Sequence, residues 1–161
     1  ELKKSPEDQN FPLYVAEIEE DKFYIVPIRG NGLWNAIFGY ISIKEDLNTV
    51  KGVVFDHVGE TAGLGAEITQ DWFKERFVDE KLFDSDYNLM GIKVSKTNND
   101  PSNLDKSDHE VDFISGATIT CDGVTDMITE RMNHYIPYFK SIKESETALA
   151  FSMSNIDSNI N

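Results

Sequence analysis

Apolar runs separated by short polar stretches dominate the first third of the chain. Four runs in it are rich in β-branched and aromatic residues, a composition typical of strands. They are residues 13–18, 22–28, 37–43 and 49–58. Only residues 19–21 separate the first two runs, and only residues 44–48 separate the last two. A parallel crossover needs about a dozen residues, so these short connections predict antiparallel pairs.

The part of the chain after residue 58 predicts one further strand and two helices. Residues 91–96 have a strand-like pattern. Residues 69–77 predict a short helix with Thr69 as its N-cap. Its aromatic residues, which would share one side, are Trp72, Phe73 and Phe77.

The longer helix is predicted from Gly123 to Ile142, with Asp122 as its N-cap. Its apolar stripe consists of Val124, Met127, Ile128, Tyr135, Tyr138 and Phe139. Pro137 predicts a kink or an early end, because proline lacks the N–H that a helix interior needs. For the same reason, Pro27 places the second strand at a sheet edge or at a bulge.

These elements predict a single α+β domain with a twisted, mainly antiparallel sheet flanked by helices. The 161 residues are enough for one such domain with a buried core. Residues 13–143 form the predicted domain, and residues 1–12 form a polar lead-in. Residues 144–161 are predicted to be a flexible tail, with low complexity and disorder from Ser152 onward.

Composition and charge exclude several classes of function. The formal net charge of −14 argues against binding to nucleic acid and to anionic membrane surfaces, which select for lysine and arginine. The single cysteine, Cys121, excludes a disulfide framework, and we expect a buried, inert thiol. His57, His109 and His134 lack metal-ligand spacing, so we predict no metal site. The sequence contains no run of about 18 apolar residues, the length that a membrane-spanning helix needs.

Two glycine-containing segments follow predicted strands. GNGLW, residues 30–34, is interpreted as a turn whose Leu33 and Trp34 pack in the core, and it matches neither a dinucleotide fingerprint nor a phosphate loop. HVGETAGLGAEI, residues 57–68, contains Gly59, Gly63 and Gly65. These glycines permit positive φ angles and bring backbone N–H groups to a surface, where a flat heteroaromatic ring or a phosphate could bind. A plain connection between a strand and a helix is the alternative.

The densest group of small and hydroxyl-bearing residues is SGATIT, residues 115–120, directly before the longer helix. The free N–H groups and the positive dipole of a helix N-terminus favour an anion there. Gly116 and Ala117 leave space beside the hydroxyls of Thr118 and Thr120. An acidic residue already supplies the helix cap, so the additional hydroxyls suggest a phosphate, either bound or covalently attached.

Together, these segments resemble a known family. GLW, GETAGLGAEI, and DFISGATIT followed by DGV occur in the order and approximate spacing of the FMN-binding domain family. That family includes the C subunit of the bacterial sodium-translocating NADH:quinone reductase and the G subunit of the related Rnf-type complex. The resemblance covers residues 13–140. It is strongest to the C subunit of the reductase, over residues 30–68.

The resemblance implies a covalently bound FMN. In the family, the threonine directly after Ser/Thr-Gly-Ala carries the flavin through a phosphoester bond. Here that residue is Thr118, preceded by Ser115, Gly116 and Ala117. Asp112 matches the acidic residue that precedes this motif. A separate flavin transferase, which uses FAD and magnesium, is implied to form the bond.

For the flavin ring, the resemblance implies contacts from the two glycine-containing segments. The apolar bed would be Leu33, Trp34 and Leu64. The polar edge would meet the Glu60 side chain and backbone groups of Thr61, Gly63, Leu64 and Gly65. The sequence departs from the family pattern at Ala62, where proline is common, and at Cys121-Asp122, where serine-asparagine is usual.

The resemblance also implies a location and partners. Family members are held in the bacterial inner membrane by a single N-terminal helix, with the flavin domain on the periplasmic side. We therefore expect residues 1–12 to follow such an anchor. The expected partners are the other subunits of the membrane reductase and the flavin transferase. Because the domain would relay electrons, no catalytic residue of its own is expected.

Two alternatives to this reductase remain open from the sequence. The first is the G-type flavin subunit of an Rnf-type complex. The second, from a different class, is a secreted binding module whose SGATIT segment holds a phosphorylated small ligand.

Overall fold

A four-stranded antiparallel sheet forms the centre of the molecule. The computed structural model describes residues 10–98, 100 and 102–157. The strands are β1 (Tyr14–Ile18), β2 (Asp21–Asn31), β3 (Ala36–Lys44) and β4 (Val50–His57), in the order β1-β2-β3-β4. All three neighbouring pairs are antiparallel, as the short connections predicted.

A second, two-stranded sheet contains the only parallel pair among the described residues. β5 (Lys93–Ser95) corresponds to the strand predicted at 91–96, whereas β6 (Glu110–Asp112) was not predicted. The two strands pair in parallel, from Lys93 beside Glu110 to Ser95 beside Asp112. The prediction of a mainly antiparallel α+β domain is thus confirmed.

β2 is an inner strand, so the edge position predicted from Pro27 does not hold for the strand as a whole. β2 pairs with β1 on one side and with β3 on the other. However, the pairing with β1 ends at Ile25, while the pairing with β3 continues through Pro27 to Asn31. At Pro27, β2 therefore has a neighbour on one side only, which explains how a residue without an N–H is tolerated there.

The predicted helix at 69–77 is divided into shorter pieces. A 3₁₀ helix spans Gly65–Thr69, α1 spans Asp71–Lys74, and a second 3₁₀ helix spans Glu75–Phe77. The residue before α1 is Gln70, so the prediction of Thr69 as N-cap is wrong. Phe73 and Phe77 are fully buried, whereas Trp72 is 41% exposed and stacks against the Arg76 guanidinium.

The long helix begins five residues earlier than predicted and is broken in the middle. α2 spans Thr118–Asn133 and α3 spans Ile136–Asp157. Ala117 precedes α2, so Asp122 is not its N-cap but lies in its second turn. The break falls just before Pro137, in agreement with the predicted interruption.

α3 also extends beyond the predicted end at Ile142. Residues 144–157, assigned to the flexible tail, continue this helix, including residues 152–157 for which disorder was predicted. Residues 158–161 lie outside the described part of the chain. Within the described residues, no helix is both long and apolar enough to cross a membrane.

The core lies between α2 and one face of the four-stranded sheet. The sheet contributes the buried residues Tyr24, Val26, Ile28, Ile37, Ile41, Ile43, Val53 and Phe55. α2 contributes Val124, Met127, Ile128 and Met132, and the next turns add Tyr135 and Phe139. Tyr138, predicted to share this stripe, is 50% exposed. Gly123 allows close packing, because a Cβ there would collide with the carbonyl oxygen of Asn31.

The end of the lead-in is attached to the junction between α2 and α3. The Tyr135 hydroxyl donates a hydrogen bond of 2.7 Å to the carbonyl oxygen of Pro12. The ring of Phe11 stacks on His134 at 4.2 Å. Residues 10–12 therefore pack against the domain, while residues 1–9 lie outside the described part of the chain.

Candidate functional site

The three segments singled out in the sequence meet at one end of the four-stranded sheet. They surround a groove of about 170 Å³, here called the leucine groove. Its lining consists of Leu33, Glu60, Thr61, Leu64, Gly65, Gly116, Ala117, Thr118, Ile119 and Thr120. Eight of the eleven predicted site residues are among these. Trp34, Gly63 and Ser115 lie outside the lining.

Thr118 is the first residue of α2 and is partly exposed to solvent. The N–H groups in the first turn of a helix lack partners within the helix, and the dipole is positive there. Ala117 has no side-chain acceptor for these groups, and the first turn contains no acidic residue. The position therefore favours an anion, as the sequence predicted.

Gly116 has a structural reason to be glycine. Its φ angle is +80°, which side chains rarely adopt. In addition, a Cβ at this position would lie 2.8 Å from Leu64 Cδ2. The small residue thus lets the turn before α2 approach the wall of the leucine groove closely.

The second threonine of the motif has a different environment. Thr120 is 1% exposed, and its hydroxyl donates a hydrogen bond of 2.6 Å to Glu60 Oε2. Thr118 lies at the groove surface, whereas the hydroxyl of Thr120 is occupied inside the protein. The geometry therefore distinguishes the two hydroxyls, which the sequence alone did not.

Glu60 lies at the base of the leucine groove and is 8% exposed. Besides the bond from Thr120, its Oε1 accepts the backbone N–H of Trp34 at 3.0 Å. Burial acts to raise the pKa of Glu60, but hydrogen bonds from the Thr120 hydroxyl and from backbone N–H groups outweigh it and hold the pKa below its ordinary value. The side chain is therefore a buried carboxylate anion whose oxygens bind the protein itself.

Leu33 and Trp34 do not pack in the core, so that interpretation of GNGLW is wrong. Leu33 is 47% exposed and Trp34 is 68% exposed. Leu33 forms one wall of the leucine groove, which Leu64 also lines. The Trp34 indole N–H donates a hydrogen bond of 3.2 Å to Thr61 Oγ1, which holds the exposed ring beside the groove.

Of the three glycines in residues 57–68, only one has the predicted positive φ angle. Gly63 has φ +75°, and its N–H donates to Glu67 Oε1 at 3.0 Å. Gly65 serves close packing, because a Cβ there would lie 2.6 Å from Thr120 Oγ1 and would also collide with the Glu60 carboxylate. The sequence pattern identified the segment but assigned the wrong role to Gly59 and Gly65.

A second groove meets the first at Thr118. This groove of about 260 Å³, here called the lysine groove, was not predicted. It is lined by Lys93, Val94, Ser95, Lys96, Thr97, Phe113, Thr118, Cys121 and Asp122. Its position depends on the parallel pairing of β5 with β6, for which three-residue strands give little sequence signal.

Cys121 is buried, as expected for an inert thiol. It is 1% exposed, and its Sγ accepts the backbone N–H of Ile114 at 3.3 Å. Burial raises the pKa of the thiol above its ordinary value, which keeps it protonated. Within the described residues, no group of three or more His, Cys, Asp or Glu side chains could hold a metal ion.

The residues of this site fit a flavin phosphate ester. Thr118 offers a hydroxyl at a helix N-terminus that lacks an acidic first turn. Leu33 and Leu64 provide apolar walls for a flat ring, and Thr61 provides a polar group on the same surface. Bound flavins need this combination of an apolar bed and a few hydrogen-bonding groups.

Comparison with known proteins identifies an FMN-binding domain. The FMN-binding domain matches residues 32–133. The C subunit of the Na(+)-translocating NADH-quinone reductase of Neisseria meningitidis serogroup A is 36% identical over 137 residues, covering 83% of this chain and 51% of the relative. Its counterpart from Pseudomonas aeruginosa is 39% identical over 104 residues, covering 65% of this chain and 39% of the relative.

A solved structure has the same fold. The crystal structure of the C subunit of the Na(+)-translocating NADH-quinone reductase from Parabacteroides distasonis superposes with a TM-score of 0.70 at 37% identity. The match covers 78% of this chain and 61% of that one. The chain spans about half the length, or less, of the curated relatives it matches. The family match covers residues 32–133, and the three segments of the chain form one site. The chain therefore belongs to the FMN-binding domain family.

Proposed function

We propose that this domain carries FMN covalently on Thr118 and relays electrons as part of a sodium-translocating NADH:quinone reductase. The observation that carries the proposal is the difference between the two threonine hydroxyls. Thr118 opens onto both grooves, while the hydroxyl of Thr120 is bound to Glu60. Only the first is accessible to a phosphate donor without breaking a buried hydrogen bond.

Attachment would use FAD and a separate flavin transferase, with magnesium. The Thr118 oxygen forms a bond to the phosphorus of the FMN half, and the bond between the two phosphates of FAD breaks. AMP leaves with the electron pair, and the hydroxyl proton passes to the transferase. The resulting phosphodiester retains one negative charge, which the N-terminus of α2 stabilises by roughly 0.3–2 kcal/mol.

Within the domain, the residues of the leucine groove would hold and orient the cofactor. When bound, FMN supplies reversible electron storage. Leu33 and Leu64 would cover the ring faces, and Thr61 would donate or accept a hydrogen bond at the polar edge. A covalent ester prevents loss of the carrier between donor and acceptor, so the noncovalent contacts need to provide orientation only.

The partners would be the other subunits of the membrane reductase. We further propose an N-terminal membrane helix preceding this domain, which then lies on the periplasmic side of the bacterial inner membrane. The names of the relatives support this assignment over the Rnf-type alternative, because the Neisseria and Pseudomonas proteins are both named as the C subunit of the sodium-translocating enzyme. The net charge of −14 fits a domain that does not lie on an anionic lipid surface.

Intact mass measurement of protein co-produced with a flavin transferase tests the proposal. We expect a mass increase that corresponds to one FMN joined through its phosphate. The protein should be yellow and keep its colour after denaturation and gel filtration. Thr118→Val should abolish the adduct. Thr147→Val, which removes an exposed threonine hydroxyl on α3 outside both grooves, is the matched control and should keep it. A flavin that is released on denaturation, or an adduct that persists in Thr118→Val, would contradict the proposal.

A further inference from the structure

The Glu60 carboxylate connects all three segments of the site. Its Oε1 accepts the backbone N–H of Trp34, in the segment that bears Leu33. Its Oε2 accepts the hydroxyl of Thr120, two residues after the proposed attachment residue. Glu60 itself belongs to the third segment, where its own backbone N–H donates to His57 Nδ1 at 3.1 Å.

Glycines on both sides enclose this carboxylate. A Cβ at Gly32 would lie 2.6 Å from Glu60 Oε1. A Cβ at Gly65 would collide with Oε2. Neither glycine has a positive φ angle, so the reason for glycine at these positions is space for the carboxylate. Gly32 in residues 30–34 and Gly65 in residues 57–68 are thus explained by the space that the Glu60 carboxylate needs.

The Glu60 carboxylate carries a buried negative charge. Among the described residues, none of the ion pairs includes Glu60. A buried charge compensated only by hydrogen bonds is costly compared with a neutral side chain of the same shape. Glutamine could make the same two contacts, with its oxygen accepting from Trp34 and its amide group donating to Thr120. The contacts with Trp34 and Thr120 therefore do not by themselves require a charge. The neighbouring backbone N–H groups of Asn35 and Leu33, however, favour the carboxylate.

We propose that Glu60 is a positioning residue that fixes the ring-side segments relative to the attachment turn of α2 and places one permanent negative charge beside the electron-carrying group. This inference rests on the proposed function, since it assigns the leucine groove to the flavin. An electron added in that groove is disfavoured by a nearby fixed anion in a medium of low dielectric constant. Glu60 therefore lowers the midpoint potential of the bound flavin.

Three variants of the protein, each co-produced with a flavin transferase, distinguish the positioning role of Glu60 from its electrostatic role. Glu60→Gln keeps both contacts and removes the charge. Glu60→Ala removes both contacts as well as the charge. Glu67→Gln is the matched control, because Glu67 also accepts a backbone N–H in the same segment, that of Gly63, but does not line the groove.

Two measurements compare these variants with the wild type. In a redox titration, Glu60→Gln should have a midpoint potential more positive than that of the wild type, while Glu67→Gln should match the wild type. In amide hydrogen exchange, the Trp34 amide should exchange at least about tenfold faster in Glu60→Ala, since its partly buried hydrogen bond to a carboxylate is lost, and at the wild-type rate in Glu60→Gln.

The outcomes separate this inference from the proposed function. A Glu60→Gln potential equal to that of the control overturns the electrostatic role. An unchanged Trp34 exchange rate in Glu60→Ala overturns the positioning role. If the wild-type protein carries no covalent flavin, the proposed function fails, but the exchange measurement still tests whether Glu60 positions the segments.

Discussion

Two hydroxyls on the same helix differ in what they can react with. Thr118 and Thr120 are two residues apart in a motif that the sequence presents as nearly symmetrical. One lies at the junction of two grooves, and the other is buried against a carboxylate. The two hydroxyls therefore differ in environment because Thr120 donates a hydrogen bond to a residue sixty positions earlier, Glu60.

Gly116 allows a prediction at the same scale. Gly116→Ala should lower the free energy of unfolding by about 1–2 kcal/mol, because the left-handed backbone is unfavourable for a residue with a Cβ. It should also slow flavin attachment, because the new Cβ crowds Leu64 and displaces the turn before Thr118. Urea unfolding and the rate of FMN incorporation measure the two effects.

Gly59→Ala is the control for that experiment. A Cβ at Gly59 would meet no atom within 4 Å, and its φ angle is not positive. This substitution should change the free energy of unfolding by less than about 0.5 kcal/mol. Equal effects of the two substitutions would mean that neither the backbone angle nor the contact with Leu64 explains Gly116.

At the scale of elements, the site is assembled from the ends of strands and the start of a helix. Two of the segments that line the leucine groove follow β2 and β4, and the third lies between β6 and the first turn of α2. α2 is pressed against β2, where Gly30 and Gly123 allow backbone and side chains to approach closely. Thr118 is thus positioned by helix–sheet packing and not by a mobile loop.

Flavin attachment should change protection against hydrogen exchange locally. We expect slower exchange for residues 59–66 and 115–120 in the flavinylated protein than in protein made without a transferase. These segments line the groove, so a bound ring adds contacts there. β3 should exchange equally slowly in both forms. Equal protection of both groove segments in the two forms would argue against binding in the leucine groove.

The segment between β5 and β6 is held by a buried acid. Glu80 is fully buried, and its Oε1 accepts hydrogen bonds from Asn103 at 2.9 Å and from Lys106 at 3.4 Å. Its Oε2 has no hydrogen-bond partner among the described residues. Burial raises the pKa of Glu80 from its ordinary value of 4.5 to about 7, although Asn103 and Lys106 act to lower it.

This raised pKa predicts that stability falls as the pH increases. The folded protein binds a proton that the unfolded chain releases, so the contribution to the free energy of unfolding is complete below pH 4.5 and is lost as the pH rises through about 7. Between these values the loss should be on the order of 2–3 kcal/mol. Urea unfolding across this range measures it.

Glu80→Gln should remove most of this pH dependence, because the amide does not titrate. Glu75→Gln, at an exposed position in the same region, serves as the control and should keep the wild-type dependence. If Glu80→Gln and the wild type lose stability in parallel, Glu80 does not titrate in this range.

At the scale of the whole molecule, the sequence predicted the sheet better than the helices. The four strands follow from runs rich in β-branched and aromatic residues and from short connections, which are local signals. The start of α2 was misplaced because Asp122 and Gly123 have the composition of a helix cap. Gly123 instead lies inside the helix, where a Cβ would collide with the Asn31 carbonyl oxygen. Such a requirement comes from tertiary packing and leaves no local pattern.

The candidate site was likewise predicted where local sequence patterns determine it and missed where tertiary contacts do. The motif order indicated which segments would meet, and eight of the eleven predicted residues line one groove. The buried bond between Thr120 and Glu60 and the lysine groove depend on contacts between distant parts of the chain. The exposure of Leu33 and Trp34 reversed the expectation from hydrophobicity alone, since apolar residues at a ligand groove resemble core residues in sequence.

Tandem mass spectrometry of the flavin-bearing peptide tests the central claim most directly. The protein is co-produced with a flavin transferase, digested, and the peptide that spans residues 115–120 is fragmented. The account predicts an FMN phosphoester on Thr118, with Ser115 and Thr120 unmodified, because only Thr118 combines an open hydroxyl with the N-terminus of α2. An adduct on Thr120, or a peptide without flavin from a protein that binds FMN, would contradict it.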